Sequence, residues 1–247
     1  MSPEARASVP AGSVYENDVF GQAGNGQSLH PGDLDLTRRM LDYCQLSEGA
    51  CVLDVACGTG ATVEELTSRN GVFAIGLDRS DLLLQTGLLR NPSLPLVCAW
   101  GKSIPVASAV LDVILAECSL SAMAEPALVL AEFQRVLRPG GRLALSDIYA
   151  RRPEGLPLLQ SLPLACGLRD ALSQPELERL LHEHGFEIQT WEDHSGQLQE
   201  FSAQAVRSHG SASAFWQQAE PEADPLDVLI AVSRARLGYY LLIARKV

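Results

Sequence analysis

The sequence predicts an α/β fold built as a doubly wound, mostly parallel sheet with helices on both faces. Short apolar, β-branched runs alternate with helix-like segments over residues 50–147, a pattern typical of parallel sheets. Within it, the segment VLDVACGTG at residues 52–60 passes from a strand through two glycines into a helix. Such a turn brings bare backbone N–H groups against a ligand. Asp78 ends a second predicted strand about 18 residues after Gly60, the interval at which a carboxylate reaches ribose hydroxyls. These observations predict a nucleoside-binding βαβ unit.

Length and charge bound the possible functions. The chain has 247 residues, which predicts a single domain over residues 13–247 preceded by a small, polar, disordered N-terminus over residues 1–12. Its formal net charge of −11 disfavours a nucleic-acid partner, because phosphate contacts need clustered Lys and Arg. No apolar run approaches the ~20 residues of a membrane span. Six cysteines without a secretory signal indicate thiols. We therefore expect a cytoplasmic protein with a small-molecule substrate; the sequence does not indicate an oligomeric state.

Hydrophobic periodicity and helix-end residues place the elements in order. In the first part they are a helix over 34–44, a strand over 52–55, a helix over 61–66, a strand over 73–78, a helix over 80–89, strands over 94–99 and 111–116, a helix over 126–137 and a strand over 142–146. In the second part they are a helix over 174–185, a strand over 186–191, helices over 198–206 and 225–236 with a polar break between them, and a strand over 238–246. Ser173 is the expected N-cap of the helix over 174–185, with Glu176 in the capping-box position.

Two motifs carry a family resemblance. The block DVACGTG at residues 54–60 lacks the third glycine of dinucleotide-binding turns, and the Asp54 carboxylate would repel a pyrophosphate but can pair with a cation. It resembles the first motif of the class I S-adenosylmethionine methyltransferases. The phrase RVLRPGGRL at residues 135–143 is similar to a second motif of that family, in which the glycines stop a helix. The resemblance implies a Rossmann-like, seven-stranded sheet with an antiparallel last strand, S-adenosyl-L-methionine as cofactor and methyl transfer to a small molecule.

The resemblance also implies the cofactor contacts. Asp54 would lie near the amino group of the cofactor, Gly58 and Gly60 beneath its methionine part, and Asp78 on the ribose. Trp100 occupies the position where the family has an Asp that holds adenine, so stacking on adenine, replacement by backbone contacts, and a packed wall residue all stay open. Tyr15 and His30 are candidates for ligand contact, with a surface aromatic and a helix-capping neighbour as the alternatives. The other expected cofactor residues are Ala56, Cys57, Arg79, Gly101, Lys102 and Glu117.

A narrower resemblance concerns the acceptor. The segments ECSL at residues 117–120, SDIYA at 146–150 and CGL at 166–168 resemble arsenite methyltransferases, in which the two matching cysteines bind trivalent arsenic as thiolates. The resemblance implies that Cys118 and Cys166 form a catalytic, substrate-binding pair of partly exposed, readily ionised thiols. It also implies that residues 149–191 contribute to a substrate lobe. The alternative is that both thiols are buried in an enzyme for a small organic substrate, such as a quinone.

Other classes of function have weaker support. The missing third glycine disfavours a dinucleotide-dependent oxidoreductase, and Trp100 leaves a non-catalytic cofactor-binding protein open. No metal site is expected, because His182 and His184 stand two positions apart on a predicted helix and cannot form an i,i+4 pair of ligands. Cys51 and Cys98 lie in apolar, strand-like runs and are expected in the core.

Overall fold

The computed structural model describes residues 15–16, 19, 29–69 and 71–247, so the disorder predicted for residues 1–12 concerns a segment outside the described residues. The first part of the chain forms α1 (Asp33–Cys44), β1 (Cys51–Val55), α2 (Ala61–Thr67), β2 (Phe73–Asp78), α3 (Asp81–Arg90), β3 (Leu96–Cys98), β4 (Leu111–Glu117), α4 (Pro126–Val136) and β5 (Leu137–Ala150). The second part forms α5 (Leu156–Ser161), β6 (Leu172–Ser173), α6 (Gln174–Glu183), β7 (Phe186–Asp193), α7 (Ser195–His209), α8 (Ala212–Ala219), α9 (Pro225–Ala235) and β8 (Leu237–Lys246).

All the strands belong to one mixed sheet. Its main path runs β3-β2-β1-β4-β5-β8-β7, and the two-residue β6 pairs with β5 beside this path. Strands β1 to β5 pair in parallel, whereas β8 is antiparallel to both β5 and β7. The predicted doubly wound sheet with an antiparallel last strand is therefore confirmed.

Two apolar cores lie on opposite faces of this sheet. Val52 and Val113 pack with α1, α2, α5, α7, α8 and α9. Leu53 and Ile114, the next residue in each strand, pack with α4 and α6. Because successive strand residues point to opposite faces, the near-continuous apolar runs of β1 and β4 require helices on both sides.

Most predicted elements are present, α5 and β6 are additional to them, and further differences concern β3, β5 and the polar break. The third strand, β3, has only three residues, and β5 is longer than predicted because pairing starts at Leu137 and continues to Ala150. The polar break predicted before the last helix contains α8, which buries Phe215. Its N-cap is Ser211, whose hydroxyl accepts the backbone N–H of Ala214 at 3.0 Å. The sequence of α8 is rich in Ala, Ser and Gln, so a single buried aromatic gave too weak a periodic signal.

The parallel order decides where a ligand can bind. Adjacent strands β2, β1 and β4 run in the same direction, so their carboxyl ends meet at one edge of the sheet. Asp78 and Glu117 end β2 and β4, and Asp54 is the last residue but one of β1. Ligands of open α/β sheets bind at this edge, so the topology gathers three acids from distant parts of the chain at one place.

Among the described residues, no helix combines the length and apolar character that a membrane crossing needs.

Candidate functional site

A cavity of about 820 Å³ opens at the carboxyl ends of β1, β2 and β4. This volume is within the range of small-molecule sites. Every predicted cofactor residue except Gly60 lines it, together with Cys118. The predicted residues on the wall are Asp54, Ala56, Cys57, Gly58, Asp78, Arg79, Trp100, Gly101, Lys102 and Glu117.

The loop between β1 and α2 turns sharply against this cavity. Ala56, Gly58 and Gly60 have φ values of 60°, 55° and 79°. A left-handed conformation is uncommon for alanine and is characteristic of functional sites. Gly60 is the N-cap of α2 and is not on the cavity wall, and its contact with the cofactor stays a prediction. Its φ of 79° favours glycine at this position, and a Cβ there would lie 3.0 Å from Leu96 Cδ2.

Asp78 joins the cofactor loop to the end of β2. Its carboxylate accepts the backbone N–H of Gly58 at 2.9 Å on one oxygen and that of Ser80 at 2.8 Å on the other. Burial raises the pKa of the Asp78 carboxyl above its usual value, opposed by these hydrogen bonds. The side chain therefore has a fixed orientation on the cavity wall.

Three buried acids face this cavity. Burial, and then the charges of Glu117 and Asp78, raise the pKa of the Asp54 carboxyl well above its usual value. A cation in the cavity would relieve this repulsion and favour the ionised carboxylate. S-adenosylmethionine carries a sulfonium and an ammonium, so the charges of the wall fit this cofactor. A pyrophosphate would be repelled.

Glu117 is the centre of a buried polar cluster. Its Oε1 accepts the Thr62 hydroxyl and its Oε2 accepts the Thr37 hydroxyl, both at 2.8 Å. His30 Nε2 lies 3.5 Å from Oε2. The cluster ties the N-terminal segment, α1 and α2 to the end of β4. Neither threonine was predicted as a site residue, because nothing in their local pattern indicates contacts across 55 and 80 positions of the chain.

The N-terminal segment forms part of the wall through Tyr15, Glu16, Leu29 and His30. Ser80 donates its hydroxyl to Glu16 Oε1 at 2.6 Å. The backbone N–H of Gly167 donates to the Tyr15 hydroxyl at 3.1 Å. The structure thus places both candidates, Tyr15 and His30, at the cavity, and the reading of Tyr15 as a surface aromatic is wrong.

Trp100 remains 46 % exposed at the cavity mouth. The guanidinium carbon of Arg79 lies 5.4 Å from its ring centroid, and Lys102 Nζ lies 6.0 Å from it. Cations at such distances are attracted by an aromatic face. Trp100 is therefore only partly packed on the wall, and the roles left open for it, including stacking on adenine and replacement by backbone contacts, stay predictions.

The two cysteines of the narrower resemblance have different environments. Cys118 lines the cavity with φ 49°, and burial raises the pKa of its thiol. Cys166 is buried away from the cavity wall, and burial raises its thiol pKa as well. Glu220 holds Cys166 in place by accepting its backbone N–H at 2.8 Å. The expectation of an exposed, readily ionised pair is therefore wrong, because this hydrogen bond fixes the Cys166 segment in the core.

Cys98 and residues 149–191 also differ in part from what the sequence predicts. All six cysteines are described and free, and Cys98, expected in the core, is exposed. None of residues 149–191, all of which are described, lines the large cavity. A second cavity of about 80 Å³ has walls from this stretch and shares Met123 with the large one. The contribution of residues 149–191 to a substrate pocket stays a prediction.

Comparison with known proteins indicates the same family as the sequence motifs do. The methyltransferase domain family matches residues 53–145. A demethylmenaquinone methyltransferase of Corynebacterium urealyticum is 32% identical over 187 residues, covering 73% of this chain and 74% of that protein. The 27-O-demethylrifamycin SV methyltransferase of Amycolatopsis mediterranei is 29% identical over 248 residues and covers 90% of both chains. Neither relative is an arsenite methyltransferase.

Solved structures share the whole fold. The [4+2]-cyclase SpnF is 26% identical with a TM-score of 0.78, covering 99% of this chain and 97% of that one. A geranyl diphosphate methyltransferase in complex with S-adenosylmethionine is 17% identical with a TM-score of 0.69, covering 86% and 85%. The second likeness shows the fold alone.

Proposed function

Since this chain belongs to the class I S-adenosylmethionine-dependent methyltransferases, we propose that it transfers the methyl group to a hydroxyl oxygen of a small organic molecule. S-adenosylmethionine, when bound, supplies a methyl group already activated by the positive sulfur. The chain therefore has to align an acceptor with that methyl and exclude water.

The proposed cofactor site uses the residues on the cavity wall. Asp54 pairs with the ammonium group, because it is the most deeply buried acid beside the cofactor loop. Gly58 lets the backbone approach the methionine part, and Asp78 accepts from the ribose hydroxyls with its remaining lone pairs. Trp100 offers a ring face to adenine at the cavity mouth. The observation that carries this assignment is the gathering of three buried carboxylates on one wall, which a cationic ligand would stabilise.

The acceptor side supports an organic molecule. Leu29, Met123 and Val129 give the remaining wall apolar surface, which suits a carbon skeleton. One relative that covers 90% of this chain is a 27-O-demethylrifamycin SV methyltransferase, and two Aspergillus relatives are O-methyltransferases. A formal net charge of −11 argues against a polyanionic acceptor such as a nucleic acid.

Arsenite is the second acceptor to be tested. Its support is reduced to Cys118, because Cys166 does not reach the cavity wall. One thiol gives one soft bond, whereas the hypothesis needs two thiolates on one arsenic atom.

The experiment incubates the purified chain and S-adenosylmethionine with catechol, 1,4-naphthalenediol, or arsenite plus glutathione. Formation of S-adenosylhomocysteine is followed together with the mass of the product. We expect methyl ethers from the hydroxyl compounds and none of the arsenic product. Methylation of arsenite and of neither hydroxyl compound would contradict this proposal and support arsenite as the acceptor. Binding of S-adenosylmethionine without turnover of any of the three acceptors would favour a non-catalytic protein.

A further inference from the structure

We infer that Thr37 and Thr62 are positioning residues for the cofactor: they hold the Glu117 carboxylate so that it binds the ammonium group of S-adenosylmethionine together with Asp54. This inference rests on the cofactor site proposed above and adds two residues to it that lie outside the sequence motifs. Thr37 lies in α1, Thr62 lies in α2, and Glu117 ends β4. All three side chains are buried.

The two hydroxyls fix the orientation of the Glu117 carboxylate. The Thr62 hydroxyl donates to Oε1 and the Thr37 hydroxyl donates to Oε2, both at 2.8 Å. The other acceptor near the Thr37 hydroxyl is the carbonyl oxygen of Asp33, which is farther away at 3.5 Å. A carboxylate oxygen has two lone pairs, so Glu117 can accept a further hydrogen bond from a ligand in the cavity whose wall it lines.

The threonines supply hydrogen bonds but no positive charge. Among the described residues, the ion-pair contact of Glu117 is with His30 Nε2 at 3.5 Å, and no lysine or arginine reaches it. Asp54 is 3% exposed and accepts no hydrogen bond from the described part of the chain. Burial and the charge of Glu117 are the two largest causes that raise the pKa of the Asp54 carboxyl.

This arrangement indicates a ligand that brings a cation. Buried polar groups are normally hydrogen-bonded, and two buried acids close together are stabilised by a positive charge between them. An ammonium group has three N–H donors, so it can donate to Asp54 and Glu117 at the same time. Because the threonines orient Glu117 before the cofactor binds, less conformational freedom is lost on binding. We expect the threonines to act mainly on ligands that carry the ammonium group.

The first test measures binding and needs no turnover. Calorimetry compares S-adenosylhomocysteine with its desamino analogue, which keeps the nucleoside and the carboxylate and lacks the amino group. In Thr62→Val and in Thr37→Val, the affinity for S-adenosylhomocysteine should fall about tenfold, because a hydrogen bond to a buried, charged group is lost. The affinity for the desamino analogue should change by less than about twofold, which also verifies that the variants fold. Unchanged affinity for S-adenosylhomocysteine in both variants, or an equal loss for the two ligands, would overturn the inference.

Two matched controls isolate the hydroxyl of Thr62. Thr62→Ser keeps the donor and should keep the affinity for S-adenosylhomocysteine within about threefold of the natural chain. Thr67→Val makes the same substitution in α2, at an exposed hydroxyl that donates to the carbonyl oxygen of Glu64 at 3.1 Å, and should leave this affinity unchanged. A loss in Thr62→Ser as large as in Thr62→Val would contradict a role for the hydroxyl.

A double-mutant cycle tests whether Thr62 acts through Glu117. Glu117→Gln keeps the shape of the side chain and removes its charge. In this background Thr62→Val should weaken binding of S-adenosylhomocysteine by less than about twofold, since the charged acceptor is already absent. An equal loss in both backgrounds would show that Thr62 acts independently of Glu117 and would overturn the inference.

The outcomes also separate this inference from the proposed function. If the natural chain binds neither S-adenosylmethionine nor S-adenosylhomocysteine, the cofactor site and the inference both fail. If it binds them and methylates no hydroxyl compound, only the transfer to oxygen fails, and the binding tests decide the inference.

With a hydroxyl compound that is methylated, kinetics give a further readout. Thr62→Val should raise KM for S-adenosylmethionine about tenfold and leave kcat nearly unchanged, because binding is lost equally in the ground state and the transition state. A fall in kcat at unchanged KM would place the threonine in the chemical step and overturn the inference.

Discussion

At the scale of single residues, Asp78 has two roles, because it fixes the cofactor loop and faces the cavity. The same carboxylate accepts two backbone N–H groups and faces the cavity. Asp78→Ala should therefore weaken binding of S-adenosylhomocysteine by about 2 kcal/mol, or ~30-fold, because a buried, charge-assisted hydrogen bond is lost. Calorimetry measures this directly. Asp81→Ala, at an exposed acid in the first turn of α3, is the control, and equal affinities in the two variants would contradict the ribose assignment.

The thiols differ in burial, and this predicts an order of reactivity. Cys98 is exposed, whereas Cys118 and Cys166 have thiol pKa values raised by burial. A thiol reagent at neutral pH should modify Cys98 first and leave the other two nearly untouched, since the thiolate is the reactive form. Peptide mass mapping over time measures the order, and a sample in denaturant should react at all six cysteines. Early modification of Cys166 in the folded chain would instead support the hypothesis that Cys118 and Cys166 bind arsenic as thiolates.

At the scale of elements, α3 supports the cofactor loop by direct contact. A Cβ at Gly87 would lie 2.3 Å from the carbonyl oxygen of Thr59, within the loop that lines the cavity. Gly87→Ala should improve helix propensity by up to about 1 kcal/mol, but this clash with backbone should displace the loop. We expect the affinity for S-adenosylhomocysteine to fall about tenfold.

The matched control for α3 is Thr86→Ala, at the exposed neighbouring position. It should leave cofactor affinity unchanged, since its hydroxyl only returns to the Leu82 carbonyl of the same helix. Calorimetry on both variants, with urea unfolding for stability, separates loop displacement from loss of the helix. An unchanged affinity in Gly87→Ala would show that the loop can move without consequence.

The stability of the whole molecule should depend on one buried acid beneath the site. Asp147 is buried, and burial raises the pKa of its carboxyl from the ordinary value of 3.8 to about 6. A raised folded pKa means that the native state binds the proton more tightly, so this contribution is fully present below the unfolded pKa and is lost as pH rises through 6. Between pH 5 and pH 8 the loss should be about 1.4 kcal/mol.

Denaturant unfolding of the natural chain and of Asp147→Asn at pH 5 and pH 8 measures this contribution. Asp54 and Asp78 also have raised pKa values and act in the same direction, so the difference between the two proteins isolates Asp147. Asp227→Asn, at the surface of α9, should keep the natural pH dependence. The prediction fails if Asp147→Asn shows the same slope as the natural chain.

The sequence by itself determined the order of the elements, the parallel sheet and the cofactor loop. These depend on local signals: apolar runs of the length of a strand, the glycines at positions 58 and 60, and the capping box of Ser173 and Glu176, which the structure contains. The residues of the cavity wall could also be predicted from local signals, because they lie within a few positions of strand ends. Parallel strands end at one edge of the sheet.

Only the tertiary structure decided which side chains face the cavity together. Thr37, Thr62 and His30 meet Glu117 from different segments, and no local pattern carries information about such contacts. Cys166 donates its backbone N–H to Glu220, 54 positions away, and Gly60 lies close to Leu96 in the neighbouring strand β3. Hydrophobic periodicity indicates which face of an element is apolar. The hydrogen-bond partner of a polar side chain is instead decided by the packing between elements, which only the folded structure shows.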